Sequence, residues 1–240
     1  MADWAMKRFW TAVSVEPLPG GYGIRLDAKP VNTPGRNRLV VPTQGLADLI
    51  AAEWDAQQGR VDPRRMPATR AANSALEKVT PQRAEVADLI AAYGDSDYLC
   101  YRASGPDALI DRQAAALNPV LDWAATTLGV RLVTGPGVVP IAQDPAALAT
   151  LRHKVHGFDA FPLTGFHDLV SLSGSLILGF AVTLRHLTPQ QAWDLSRLDE
   201  DWQAEQWGVD DEATAHAALK CAAFLDAARF LALSLQADPG

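Results

Sequence analysis

Cysteine is nearly missing from this 240-residue chain: only Cys100 and Cys221 occur, far apart and outside any Cys-x-x-Cys spacing. That excludes a dithiol redox motif and fits a reducing compartment. Long apolar runs are missing too. The longest uncharged one, LVSLSGSLILGFAVTL from Leu169 to Leu184, falls short of the roughly 20 residues that span a bilayer, and it contains serine and threonine. It reads as a buried central helix. The opening MADWAMKRFW has neither the apolar core of a secretory signal nor the Arg/Ser-rich composition of a transit peptide, so a cytoplasmic protein is expected. Net positive charge is lacking as well. A formal charge of −7 argues against general nucleic-acid binding, which needs a basic field to neutralise phosphates.

What is present is unevenly placed. From Asp194 to Glu212 the chain carries eight acids and one base, Arg197, a net of −7 that equals the charge of the whole protein. Residues 1–83 are mildly basic, with twelve Lys/Arg against eight Asp/Glu. With 48% hydrophobic residues the chain can bury a substantial core in one or two domains.

The first forty residues have strand grammar. FWTAVSVE alternates and is β-branched, PLPGG turns, YGIRL follows, and DAKP and PGRN punctuate VNT and LVVP. After Thr43 the pattern becomes helical. Leu46, Leu49, Ile50 and Trp54 share one face, with Gly59 as the expected stop. Asp62 to Thr69 reads as a proline-broken loop, and Thr80-Pro81 as the start of the next helix. Beyond Gly105 nearly everything reads as helix. Asn118-Pro119 restarts one, Asp144-Pro145 caps another, and Thr188-Pro-Gln-Gln forms a capping box for a helix ending near Gly208. A last helix covers about Asp211 to Gln236. The expected fold is α+β, with a small N-terminal domain of β-meander plus helices (1–104) and an α-helical C-terminal domain (105–240). Within the central helix, Ser171, Ser175, Gly179 and Thr183 recur every fourth residue, a small-residue stripe suited to close helix packing.

Catalytic motifs do not materialise. GYGIRL starts like a dinucleotide fingerprint, but Leu26 replaces the third glycine and the segment joins strands. No phosphate-cradling Gly-x-x-x-x-Gly-Lys-Ser/Thr loop exists. SLSGS lies within a helix, without the strand-turn-helix setting of a nucleophile elbow. His153 and His156 have a one-turn spacing, yet no His-Glu-x-x-His accompanies them. His167 and Asp168 are adjacent, so their side chains should diverge by about 100° on a helix, leaving His167 a buried or capping residue. The consecutive acids Asp199, Glu200 and Asp201 lack calcium-loop spacing and its glycine. They leave paired-carboxylate hydrolysis as an arithmetic possibility, beside an interaction adaptor. No metal or cofactor is expected.

One set of segments is more specific. KRFW, GYGIRLDAKPVNTP, LVVP, AAEWDAQ, MPATRAANSALEKV, DSDYLCYRA, NPVLDW, HDLVSLSGSLILGFA and above all LSRLDEDWQAEQWG run through most of the chain. Together they resemble the ATP synthase assembly chaperone family, known in mitochondria as ATP synthase assembly factor 2. Small departures are Trp10, where the family often has tyrosine, and Ala28, where it often has glycine. The resemblance implies a non-enzymatic chaperone that holds the unassembled ATPase alpha subunit until the beta subunit replaces it. With no mitochondrial leader in view it implies a bacterial or processed member, its eukaryotic relatives acting in the mitochondrial matrix.

On a helical wheel drawn from Gln191 to Trp207, Leu195, Leu198 and Trp202 share one face, with Glu205 at its edge. Trp193, Ala204 and Trp207 share the opposite face, with Glu200 among them. Arg197 can reach Glu200 and Asp201 along the helix. The expectation is that Trp193, Glu200, Asp201, Glu205 and Trp207 contact the partner, while Trp54 and Trp202 are structural.

Overall fold

The computed structural model describes residues 6–236; residues 1–5, which open the N-terminal stretch read above, and 237–240 lie outside the description. Strand grammar becomes an antiparallel sheet. β1 (Val13–Leu18) pairs with β2 (Gly21–Leu26) in the register Val13↔Leu26 to Leu18↔Gly21. β2 then pairs on its other edge with β3 (Lys29–Pro30) and β4 (Val40–Val41). Pro17 is tolerated because β1 is an edge strand and its missing N–H faces no neighbour. Gly21 is required: a Cβ there would lie 2.1 Å from the carbonyl oxygen of Val41, and its φ is +144°.

Thr43 starts α1 (Gln44–Asp55), its hydroxyl accepting from the Leu46 amide at 3.2 Å and donating to the Leu233 carbonyl at 2.8 Å. The predicted face is the buried one: Leu46, Ile50 and Trp54 pack on Ile24, Leu26, Val31 and Val41, with Leu49 partly buried. Trp54 meets Trp10 edge to face at 5.4 Å. The family segments AAEWDAQ and MPATR are joined here. The Glu53 carboxylate accepts from the amides of Ala68 (2.7 Å) and Thr69 (2.8 Å), capping α2 (Pro67–Ser74) from outside its own sequence.

The next helix does not start at Thr80-Pro81. The chain stays helical from Pro67 through a wide turn at Ala75–Val79 and a tight one at Thr80–Gln82 into α3 (Arg83–Ala91). Thr80 has helical dihedrals, and its hydroxyl donates to the Ala75 carbonyl at 2.7 Å instead of capping. The wide turn lets the helix pass a proline that offers no N–H. After β5 (Tyr101–Arg102), α4 (Asp107–Trp123) runs straight through Pro119, continues into a wide turn at Ala124–Leu128 and stops at Gly129, φ +73°. Pro119 therefore sits inside a helix that it was expected to restart.

β6 (Gly135–Pro136) pairs in parallel with β5. α5 (Pro145–His156) is capped by Asp144, whose carboxylate accepts from the Ala146 amide. The apolar run expected as one central helix is two, α6 (Ala160–Ser173) and α7 (Leu176–Thr183). Gly174 at φ +68° breaks it, and Ser175 caps α7 by accepting from the Leu178 amide at 3.0 Å. Fully buried Asp97 fixes the break, its two carboxylate oxygens accepting from Leu99 and Ile177 amides, each at 3.0 Å. The four-residue stripe is thereby interrupted. Gly179 keeps the role, since a Cβ there would meet Val170 at 2.9 Å and Phe166 at 3.1 Å.

The C-terminal third holds α8 (Pro189–Ser196), α9 (Leu198–Trp207) and α10 (Asp211–Ser234). The Thr188 capping box forms as expected. The chain divides into two units. One comprises the described residues up to Arg83 with Asp159–Gly165 and those from Arg229 on, and the other Ala84–Phe158 with Phe166–Ala228. The boundary expected near residue 104 falls inside the second unit. The first unit holds the sheet and α1, the second most of the helices, an α+β fold.

Candidate functional site

The acidic stretch was expected to ride on one helix from Thr188 to Gly208. Arg197, at φ −110° and ψ 6°, breaks it into α8 and α9. A single wheel therefore misplaces one residue. Trp193, expected on the partner face, is buried at 6% exposure and packs on Phe224 at 5.8 Å. The break gives α8 its own inward face, on which Ala192, Trp193 and Ser196 are buried.

Three consecutive acids at the start of α9 have a plain physical reason. Asp199, Glu200 and Asp201 occupy its first turn, where unpaired amides leave partial positive charge. Two of these acids, and Glu205 further along, also have partners. Asp199 accepts from the Gln113 side-chain amide on α4 at 2.6 Å. Glu200 pairs with Arg197 at 2.8 Å, the contact expected from their spacing. Glu205, one turn beyond Asp201, takes both terminal nitrogens of Arg112 on α4, at 2.6 and 2.9 Å. The Arg112 guanidinium holds the Glu205 carboxyl below the usual range, and Glu205 in turn raises the Arg112 pKa. Arg112 also lies 5.7 Å above the Trp202 ring. Trp202 is half-buried and Leu198 buried, so α9 lies against α4 by one apolar side and two polar ties.

The other side of α9 faces solvent. Glu200 and Trp207 are seven residues apart, about 20° on a helical projection, and Trp207 is 79% exposed. Gly208, φ +97°, ends the helix. Val209 beyond it is 69% exposed, and Leu219 on α10 is 71% exposed. From Gln203 to Lys220 only Ala204 and Ala217 are even half-buried. Exposed aromatic and aliphatic groups thus sit in the region of densest negative charge. Sequence reasoning found Trp207 and missed Val209 and Leu219, whose exposure depends on how α9 and α10 are held.

Two of the histidines have carboxylate partners. His156 bonds Asp88 at 2.6 Å, and Arg152 joins the same carboxylate. His167 and Asp168 do meet, at 2.8 Å, and half-exposed His167 is neither buried nor a cap; this bond raises its pKa. Both cysteines are free thiols, and burial pushes Cys100 up to about 12, the unreactive thiol form. Among the described residues no three His, Cys, Asp or Glu groups converge as a metal site, and no helix is long and apolar enough to cross a membrane.

The family profile described as ATP12 chaperone protein matches residues 7–125. The crystal structure of Atp12 from Paracoccus denitrificans shares 48% identity, with a TM-score of 0.93, covering 97% of this chain and all of that one. An aspartate-to-lysine mutant of the same Paracoccus protein superposes with a TM-score of 0.94 at 47% identity, covering 97% of this chain and all of the mutant. The mitochondrial atp12 protein of Schizosaccharomyces pombe is 23% identical over 222 residues, 87% of this chain and 76% of that protein. These likenesses define an assembly chaperone. The chain belongs to the ATP12 chaperone family, non-enzymatic factors of ATP synthase assembly.

Proposed function

We propose that this chaperone holds the unassembled alpha subunit of the ATPase head until the beta subunit displaces it, and that the outward side of α9 forms part of the contact. The observation that carries the reading is Trp207, 79% exposed at the end of an acidic helix that is itself tied to α4. Protein interfaces draw their energy from a few aromatic anchors, while surrounding charges steer encounter and reject wrong partners. The net of −7 between Asp194 and Glu212 supplies such a field and keeps copies of the chaperone apart.

Within this surface the acids divide in role. Glu200 and Asp201 are the groups offered to a partner. Glu205, expected only as a contact, also ties α9 to α4, and Trp193, buried against Phe224, drops out of the contact set. The test is capture of purified alpha subunit by the chaperone, followed by addition of beta subunit. A saturable complex that beta subunit dissolves supports the reading. Absence of a complex, or one indifferent to beta subunit, contradicts it.

A further inference from the structure

Beside α9 lies a groove of about 400 Å³ lined by Arg112 and Ala116 of α4, by Leu187, Gln191, Asp194 and Leu195 at α8, and by Leu198 and Asp201 of α9. Its floor is apolar: Leu198 is buried, and Leu187, Leu195 and Ala116 are half-buried. Its rim is charged, and the signs do not cancel. Arg112 is already committed to Glu205 by two bonds. Among the described residues, Asp194 accepts from the Gln190 side-chain amide at 2.8 Å, and neither Asp194 nor Asp201 is ion-paired with a cation. Asp194 therefore has no cation of its own, and Asp201 shares the field of Arg112 with Glu205, which already takes both of its terminal nitrogens, so the mouth of the leucine-lined groove keeps a net negative charge.

We propose that this groove is the anchor pocket of the chaperone. It receives one large apolar side chain of the alpha subunit, with a lysine or arginine beside it in sequence meeting Asp194 and Asp201. The inference rests on the alpha-subunit reading above and gives it a recognition rule. A volume at the small end of ligand pockets suits one or two side chains, and the floor removes apolar surface from water while the rim selects for positive charge. A small neutral ligand would leave both carboxylates unanswered. Another stretch of acidic chain, including a second copy of the α9 region, would be repelled. The pocket thus reads an apolar–basic pair, whereas Trp207 offers an anchor of its own to the partner.

The experiment compares capture of purified alpha subunit by the full-length chaperone and two variants. Ala116→Trp fills the groove from a half-buried helix position. Asp194→Lys reverses an exposed rim charge and leaves the floor alone, so it serves where Ala116→Trp impairs folding. Each variant should melt like the parent and bind at least about tenfold more weakly. A photo-reactive phenylalanine at position 116 should cross-link to an alpha-subunit peptide with an apolar residue adjacent to Lys or Arg. Folded variants that bind with parental affinity, or cross-links confined to sequences without such a pair, overturn the pocket while leaving the chaperone reading intact. A parent protein that captures no alpha subunit overturns both.

Discussion

Arg112 on α4 and Glu205 on α9 are 93 residues apart in sequence and joined by two hydrogen bonds of 2.6 and 2.9 Å. The pair is half-exposed, and pairs of this kind contribute modestly to stability. Its value is positional, since it sets the side of α9 that turns toward solvent. Glu205→Lys should lower the melting temperature slightly and weaken alpha-subunit capture, and the added swap Arg112→Glu should recover part of both. Melting curves and capture constants for the single and double variants check this; a double variant no better than the singles contradicts it. The sign of the pH effect follows from the lowered Glu205 pKa. The contribution is present above the ordinary carboxylate range and is lost as pH falls through the depressed folded value.

Asp97 behaves in the opposite sense. Burial raises its pKa to about 6, although the Leu99 and Ile177 amides pull it down. The folded state therefore binds its proton more tightly than the unfolded chain does. Stability from this group should rise as pH falls from about 6 to about 4, and the ionised form is the costlier one at neutral pH. Asp97→Asn should flatten that dependence. It should also cost about 1–3 kcal/mol, because its NH2 group replaces one oxygen that now accepts from a buried amide. Chemical denaturation of both proteins across this window is the measurement, and parallel pH profiles would contradict the assignment.

Trp54 anchors α1 on the sheet beside Trp10. Trp54→Ala should cost about 3–5 kcal/mol, a large part of the roughly 5–15 kcal/mol that holds a domain. Melting temperature should drop sharply and soluble yield with it. An unchanged melting curve is the contrary result.

Nucleotide should not bind. The chain has no phosphate-cradling glycine loop, and its strongest field is negative, which repels phosphates. Titration calorimetry with ATP or ADP, with and without magnesium, should give no saturable heat. A micromolar site contradicts the expectation.

Local grammar carried much of the fold. The strand alternation around Val15 and Ile24, the Asp144 cap, the capping box at Thr188 and the Leu46–Trp54 face all depend on neighbours a few residues away. The misread places depend on distant partners or on helix variants. Gly174 breaks a long apolar helix in a setting where Asp97, far off in sequence, satisfies the amides of the second half. Pro81 and Pro119 looked like helix starts, but a wide turn carries one helix past Pro81, and α4 contains Pro119 within its regular span. The break at Arg197 has no turn residue to announce it, and a continuous wheel consequently turned Trp193 outward. Trp207 needed no distant information, because Gly208 ends its helix immediately after it.

The central claim is that the exposed end of α9 grips the alpha subunit. Its most direct test is the dissociation constant of purified alpha subunit for the parent protein and for Trp207→Ala, measured at low and raised salt beside circular dichroism melting. Trp207 is 79% exposed, so its loss should leave the melting curve unchanged. An interface anchor carries about 2 kcal/mol or more, so affinity should fall roughly thirtyfold, while raised salt mainly slows association. A folded Trp207→Ala protein that captures the alpha subunit with parental affinity at both salt concentrations would contradict the account.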